Sequence, residues 1–455
     1  MSKSIVRQSK YRHVFGKPAK QDNCFTALKP IENRTDACFC AANGKFVAYS
    51  IQSGGGGAFQ VLPVTQTGRL STKQANFTGH KSTVLDFAFS PFDDNLLATC
   101  SEDGEVKLWL IPDEGIKAEQ NTPEITLSRH TKRVNLLRWH PVAENILLTA
   151  GCDNRICVWN IEIGDTVNVI DAPEMPYDVC WNHNGTAFAV TTKDKALRVY
   201  DARSSELLHE KLNVFKSPKP IRCIFITDDK VFLTGSNGAM RMYSLWKLDD
   251  SEPLTEEELD SGNGFIFPFY DPCTSIVYIT SKGDTTIRYY EITDQEPYVY
   301  FLNQHTGADG QKGIAWVPKR ACDVRIHEIA KFYKLTNNKI EPLSLTVPRK
   351  SDVFQDDIYP PCFSGESSLS ADDWASGKNA EPKMMNMKEC KNKPVRTFTK
   401  KAVQNGQKDA ASPQTVDITE ILEDVTKLKA TVRKQNRRIA ALEAQLQSVV
   451  DVSDE

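Results

Sequence analysis

The sequence predicts an all-β fold, a closed seven-bladed β-propeller, continued by an ordered extension, a disordered linker and a C-terminal α-helical coiled coil. Three observations predict it. Two adjacent segments superpose on each other, an Asp-or-Asn to aromatic interval of six residues recurs five times, and apolar residues fall on a heptad near the chain end.

The superposable segments are TGHKSTVLDFAFSPFDDNLLATCSEDGEVKLWLI and SRHTKRVNLLRWHPVAENILLTAGCDNRICVWNI, which align His80 with His130, Asp103 with Asp153 and Trp109 with Trp159. The interval from His to Asp is 23 residues in both, and from Asp to Trp it is six. Six-residue pairs continue at Asp194 and Tyr200, Asn237 and Tyr243, and Asp284 and Tyr290. The aromatic returns after 50, 41, 43 and 47 residues, the length of a four-stranded blade. Asp or Asn suits the tight turn between two strands, where a short polar side chain caps backbone groups. The aromatic on the next strand then packs between neighbouring sheets. In WD repeats the His, a Ser or Thr (here Thr99 or Ser101), the Asp and the Trp form one hydrogen-bonded chain. Only two repeats match this closely; Asp171 takes the His position in the third, so the others must be held mainly by packing.

Two further blades close a ring of seven. One fits Cys38 to about Gly68, with strands KFVAYSI and AFQVLPV, and the other fits residues 313–347, with GIAWVPK, HEIAKFYKL and IEPLSLTVP. Residues 4–15 are expected to supply the missing strand of the last blade, so that the propeller spans 1–347 and leaves no sheet edge unclosed. Residues 348–382 are aperiodic but carry Phe354, Tyr359 and Trp374, which predicts order against one propeller face. Residues 383–416 hold eight Lys or Arg against Glu389 and Asp409, the texture of a basic disordered linker.

From 417 to 450 the pattern is helical. Ile418, Val425, Val432, Ile439 and Leu446 fill position a, and Ile421, Leu428, Gln435, Leu442 and Val449 fill position d. Such a seam predicts a coiled coil on the order of 48 Å long at ~1.5 Å per residue. β-branched residues at a with Leu at d favour two strands. Arg438 and Glu443 flanking Ile439 and Leu442 resemble a trimerisation signature, in which Arg at g bonds Glu at e of a neighbour. A parallel homotrimer is favoured over a dimer.

Chemistry of other kinds is weakly signalled. SGGGGA at 53–58 lacks the Lys and Ser or Thr of a phosphate loop, and His327-Glu328 opens like a zinc helix but meets Lys331 where the second His belongs. No G-x-S-x-G or kinase motif set occurs, so no enzyme, metal or cofactor is expected. The twelve Cys include no C-x-x-C pair, and Cys38 and Cys40 read as core thiols of a reducing compartment. The N-terminus has no apolar h-region, and a formal charge of −3 gives no global reason to expect nucleic acid. A cytoplasmic protein is expected.

Particular segments extend this reading. VRQSKYRHVFG at the start, HTKRV at 130–134, AGCDN at 150–154, WNHNG at 181–185 and FPFYDP at 267–272 resemble coronin sequences. So do KGDTTIRYYEI at 282–292, VPRKSDVFQDDIYP from Val347 on and WASGKNAEP from Trp374 on. The resemblance covers roughly residues 1–382, extends to the coiled coil, and is to short conventional coronins rather than the tandem-propeller kind. It implies actin-filament binding, oligomerisation, regulation of actin turnover, contacts with the actin-branching complex and with cofilin, and a location at the actin cytoskeleton and cell cortex. The family's basic residue for filament binding, early in the first blade, falls at Lys29, where many members carry Arg. Arg7, Lys10 and Arg12 are further candidate contacts. The basic linker could also sit near an anionic membrane surface. A rival reading is a general propeller scaffold for signalling or vesicle-trafficking partners.

Overall fold

The computed structural model describes residues 8–392 apart from 33, 34, 55, 72 and 352. Arg7 and the heptad positions Ile418, Ile421, Val425, Leu428, Val432, Arg438, Ile439, Leu442, Glu443 and Leu446 lie outside the described residues.

Alternating apolar residues in short β-rich runs, separated by turns, give seven antiparallel sheets arranged as blades. Blade 1 is Cys40–Ala42, Phe46–Ser50 and Phe59–Pro63, with Phe77 bridged to Phe59 at its outer side. Blade 2 is Val84–Phe89, Leu96–Ser101, Val106–Leu110 and Ile125–Leu127. Blade 3 follows as Val134–Trp139, Ile146–Gly151, Arg155–Asn160 and Asp165–Asp171. Blades 4, 5 and 6 begin at Pro176, Arg222 and Ile266 and repeat the four-stranded order.

Blade 7 contains Gly313–Trp316, Glu328–Leu335 and Lys339–Thr346, and its fourth strand comes from the other end of the chain. That strand is Phe15–Pro18, pairing Phe15 with Thr346 and Pro18 with Leu343. This corrects the expectation that residues 4–15 close the ring. Residues 9–14 instead turn back on themselves, with Val14 N–H bonded to the Tyr11 carbonyl, because Tyr11 and Val14 are wanted in the core. The Tyr289 hydroxyl donates to the Val14 carbonyl at 2.9 Å and anchors that turn.

Antiparallel order puts the turns between first and second strands on one face of the ring and the turns between second and third strands on the other. Residues 356–387 form a strap over the first of these faces. Ile358 and Tyr359 join Tyr11, Val14 and Tyr278 in one core cluster, Phe363 meets Phe92 at the first turn of blade 2, and Trp374 is fully buried between blades 3 and 4. The Trp374 indole donates to the Gly185 carbonyl at 3.1 Å and lies edge-on to His140 and Trp181. The strap continues past residue 382, where the sequence placed the start of the linker: Met384–Met385 pairs with Cys362–Phe363, and Met387 is fully buried. Burial of the Met385 and Met387 side chains outweighs the polar texture around them.

Charge ties the inner strands together. Arg138 of blade 3 reaches Asp86 of blade 2 at 3.0 Å and Asp178 of blade 4 at 2.8 Å. Arg222 of blade 5 then joins Asp178 to Asp36. No helix among the described residues is long and apolar enough to cross a membrane.

Candidate functional site

The face opposite the strap is built from the second-to-third-strand turns, and its geometry starts from the polar clasp of blade 2. His80 enters from the segment before the first strand, with Nδ1 3.0 Å from Asp103 Oδ2 and Nε2 2.8 Å from Thr99 Oγ1. The Trp109 indole donates to the same Thr99 oxygen at 2.9 Å. Asp103 also accepts from the N–H groups of Lys81 and Glu105, which fixes the turn. Burial alone would raise the Asp103 carboxyl, but the His80 ring and those N–H groups outweigh it and hold the group down at about 2. Ser101 does not bond the His80 ring or the Trp109 indole; its hydroxyl donates to the Ser82 carbonyl and accepts from the Asp103 N–H at 3.2 Å. Blade 3 repeats the arrangement with His130, Thr149, Asp153 and Trp159.

The later blades keep the positions and change the bonds. Asp194 accepts from Arg198 at 2.7 Å, Asn237 accepts from the Lys216 N–H at 2.7 Å, and Asp284 pairs with Arg241 at 2.8 Å. Their aromatics are held by packing: Tyr200 stacks on Phe188, Tyr243 on Phe232, and Tyr290 meets Tyr243 across blades.

These clasps set out a basic rim. Lys81 follows His80, Lys132 and Arg133 follow His130, Lys193 precedes Asp194, and Lys216 lies in the segment entering blade 5, its N–H bonded to the Asn237 side chain; all five are exposed. Glu102, Glu105 and Glu174 are interleaved with them, so the rim is mixed in sign. Neighbouring turns abut closely. A Cβ on Gly57 would strike the His80 carbonyl at 2.0 Å, and one on Gly104 would approach the Lys132 carbonyl at 3.2 Å. Only glycine lets the blade 1 turn sit that near to blade 2. Among the described residues no group of three or more His, Cys, Asp or Glu is placed to hold a metal. His327 is a left-handed turn residue and Glu328 begins a strand, so that pair forms no helical motif.

Comparison with known proteins bears on this architecture. Residues 4–69 match a family model described as a domain of unknown function (DUF1899), residues 71–109 and 121–160 match the WD domain, G-beta repeat, and residues 340–382 match a type of WD40 repeat. The crystal structure of the WD40 domain from Toxoplasma gondii coronin superposes with a TM-score of 0.78 at 29% identity, over 83% of this chain and 97% of that one. The chain is a coronin-type protein. A chain of the mitotic checkpoint complex superposes with a TM-score of 0.54 at 12% identity, over 76% of this chain and 97% of that one, and shares the fold alone.

In this coronin-type chain the three described basic residues among those singled out from sequence, Lys10, Arg12 and Lys29, do not converge. Lys29 is exposed, and its carbonyl accepts from the Gln52 N–H at the second-to-third-strand turn of blade 1. It therefore belongs to the rim that carries Lys81. Lys10 donates to the Asp357 carbonyl, and Arg12 is exposed two residues on, both beside the strap. Phe15 pairs with Thr346 and Phe25 with Ile340, so the two groups are separated by about 20 Å of strand at ~3.3 Å per residue. Sequence reasoning missed Lys81, Lys132, Arg133, Lys193 and Lys216. The signal was present for the first four, each within three residues of a clasp position, whereas Lys216 is 21 residues from Asn237 and meets it only in the fold.

Proposed function

We propose that this coronin-type chain binds actin filaments through the strap-free face of its propeller, with Lys29 among the contacts, and acts as a multivalent, non-catalytic regulator of filament organisation and turnover. The basic rim carries this reading: Lys29, Lys81, Lys132, Arg133, Lys193 and Lys216 are exposed cations placed by rigid blade turns, and the likeness to a coronin propeller supplies the partner class. Actin filaments are acidic, and each exposed ion pair contributes under ~1 kcal/mol. Lys29 also lacks the bidentate fork that Arg would offer a carboxylate. A single propeller is then a weak binder, and avidity has to supply the rest. Joining two or three heads through the C-terminal heptad would raise apparent affinity by ~10²–10⁴. Contacts with the actin-branching complex and cofilin, trimeric assembly, attraction of the basic linker to anionic membrane, and a cytoplasmic location at the cell cortex belong to the same proposal. Lys10 and Arg12, beside the strap, are not among the contacts of this proposal.

Co-sedimentation of the full-length protein with filaments at several salt concentrations tests it. Binding should weaken with salt and with Lys29→Glu or the pair Lys132→Glu, Arg133→Glu, and be insensitive to Arg12→Glu. Disrupting the heptad in the full chain with Ile439→Asp and Leu442→Asp should give monomer mass by light scattering and about a hundredfold weaker binding. Full-length protein that ignores filaments would end the proposal, and a monomeric variant of unchanged affinity would remove the avidity argument.

A further inference from the structure

On the same face as Lys29, a pocket of about 380 Å³ opens among blades 1, 6 and 7, lined by Ile31, Glu32, Phe39, Lys282, Lys312, Leu335 and Asn337. Its volume suits a small ligand or one or two side chains. Lys282, in the second-to-third-strand turn of blade 6, donates to the Thr35 carbonyl at 2.9 Å and to the Ala37 carbonyl at 3.3 Å. Its ammonium also stands 4.4 Å from the centre of the Phe39 ring. Phe39 holds this position with φ at 56°, a left-handed conformation uncommon for an aromatic residue. Two of the three ammonium N–H groups are thus used, and the ammonium is fixed in place rather than loose in solvent. Lys312 sits across the pocket, 3.5 Å from Glu32.

We infer that this pocket binds a carboxylate carried on an apolar or aromatic carbon skeleton, with Lys282 and Lys312 holding the anion and Ile31, Phe39 and Leu335 taking the carbon. Two ammonium groups and one carboxylate in the lining leave a single net positive charge, which matches a monoanion. A phosphate dianion would face Glu32 with its second charge. The exposed amide of Asn337 can bond a peptide group beside the carboxylate. The carboxylate has two natural sources, the free C-terminus of a peptide and an Asp or Glu side chain beside an apolar residue.

Burial pushes the Lys282 ammonium down to about 8, against the raising influence of Cys38 and Asp36, with Lys312 adding to the depression. Anion binding through Lys282 therefore depends on pH in a range that can be measured. Asp36 and Cys38 come from the segment entering blade 1, Lys312 from the segment entering blade 7, and Glu32 from the pocket wall. Affinity is full well below 8, halves near it and goes on falling as the amine loses its proton, by about eightfold between pH 7.5 and 9.

The test uses full-length protein without actin, so that its outcome is separate from the filament reading. Binding of 3-phenylpropionate, 3-phenylpropionamide and inorganic phosphate is measured by calorimetry or ligand-observed NMR. The acid should bind at least tenfold tighter than the amide, Lys282→Met and Lys312→Met should each weaken it about tenfold or more, and Lys282→Met should flatten the fall above pH 8. A hexapeptide ending in Phe with a free carboxylate, set against an amidated hexapeptide with an internal Glu-Phe pair, distinguishes the two sources. Equal binding of acid and amide would overturn the inference. So would acid binding unchanged in folded Lys282→Met, or phosphate binding more tightly than the acid.

Discussion

The blade 2 clasp makes a prediction whose size and pH dependence both follow from the geometry. Asp103 is the single carboxylate joining the His80 ring to the N–H groups of Lys81 and Glu105, and its side chain is only 6% exposed. Its folded value of about 2, against an ordinary 3.8, means that the fold prefers the charged form. At ~1.36 kcal/mol per unit this preference contributes about 2 kcal/mol at pH 7. The substitution Asp103→Asn keeps the shape and one acceptor but removes the charge, so about that much stability should be lost. A depressed carboxylate contributes its stability above the unfolded value and loses it as pH falls toward the folded value. The difference between wild type and Asp103→Asn should then stay near 2 kcal/mol from pH 7 to about 4 and shrink to about 1 kcal/mol by pH 3. Urea unfolding of the two full-length proteins, followed by tryptophan fluorescence at a series of pH values, measures both features. A difference under about 0.5 kcal/mol at pH 7, or one constant down to pH 3, would refute the assignment of Asp103 as an ionised clasp.

The buried pair Lys319 and Asp271, 2.6 Å apart, should show strong coupling. Lys319→Met should cost about 3 kcal/mol by leaving Asp271 among only its Cys273 and Thr274 donors, and adding Asp271→Asn should recover part of that loss in a double-mutant cycle read by chemical denaturation. Trp374→Ala should cost about 3–5 kcal/mol by emptying the slot between blades 3 and 4, seen as a lower melting temperature and faster proteolysis within the strap. Well below that melting temperature the same variant should keep its filament co-sedimentation, because the strap lies on the face opposite Lys29. A folded Trp374→Ala protein that lost filament binding would contradict the assignment of faces.

Much of the ring was legible because a blade is a local device. The His80 to Asp103 to Trp109 spacing encodes one sheet that closes on itself through short turns, so residue spacing translates directly into hydrogen bonds. Blades 4 to 6 could be placed by their aromatics, but not the bonds that replace the clasp: Asp194 turns to Arg198, and Asp284 to Arg241 of the preceding blade. The inner ion chain of Asp86, Arg138, Asp178 and Arg222 was not legible either, since its members are 40 or more residues apart and meet only when the ring closes.

The candidate site divides the same way. The residues of the rim are readable where they sit beside a clasp position, as Lys81, Lys132, Arg133 and Lys193 do. Their grouping is not, because the face a side chain occupies depends on which turn of a blade it belongs to. Lys10 and Lys29 are 19 residues apart and equally basic in sequence, yet one lies beside the strap and the other on the open face.

By itself, then, the sequence determined the blade: its length, its turn residues, its apolar alternation and the clasp in the two best repeats, all of which act over a few tens of residues. Tertiary structure alone decided that Phe15–Pro18 is the strand that closes the ring, that the strap runs on to Met387, and that Lys282 and Phe39 share a pocket wall. The physical reason is loop closure. Contacts between Phe15–Pro18 and the last blade exist only after seven sheets have packed in sequence, and no local pattern records which residues that packing will bring together.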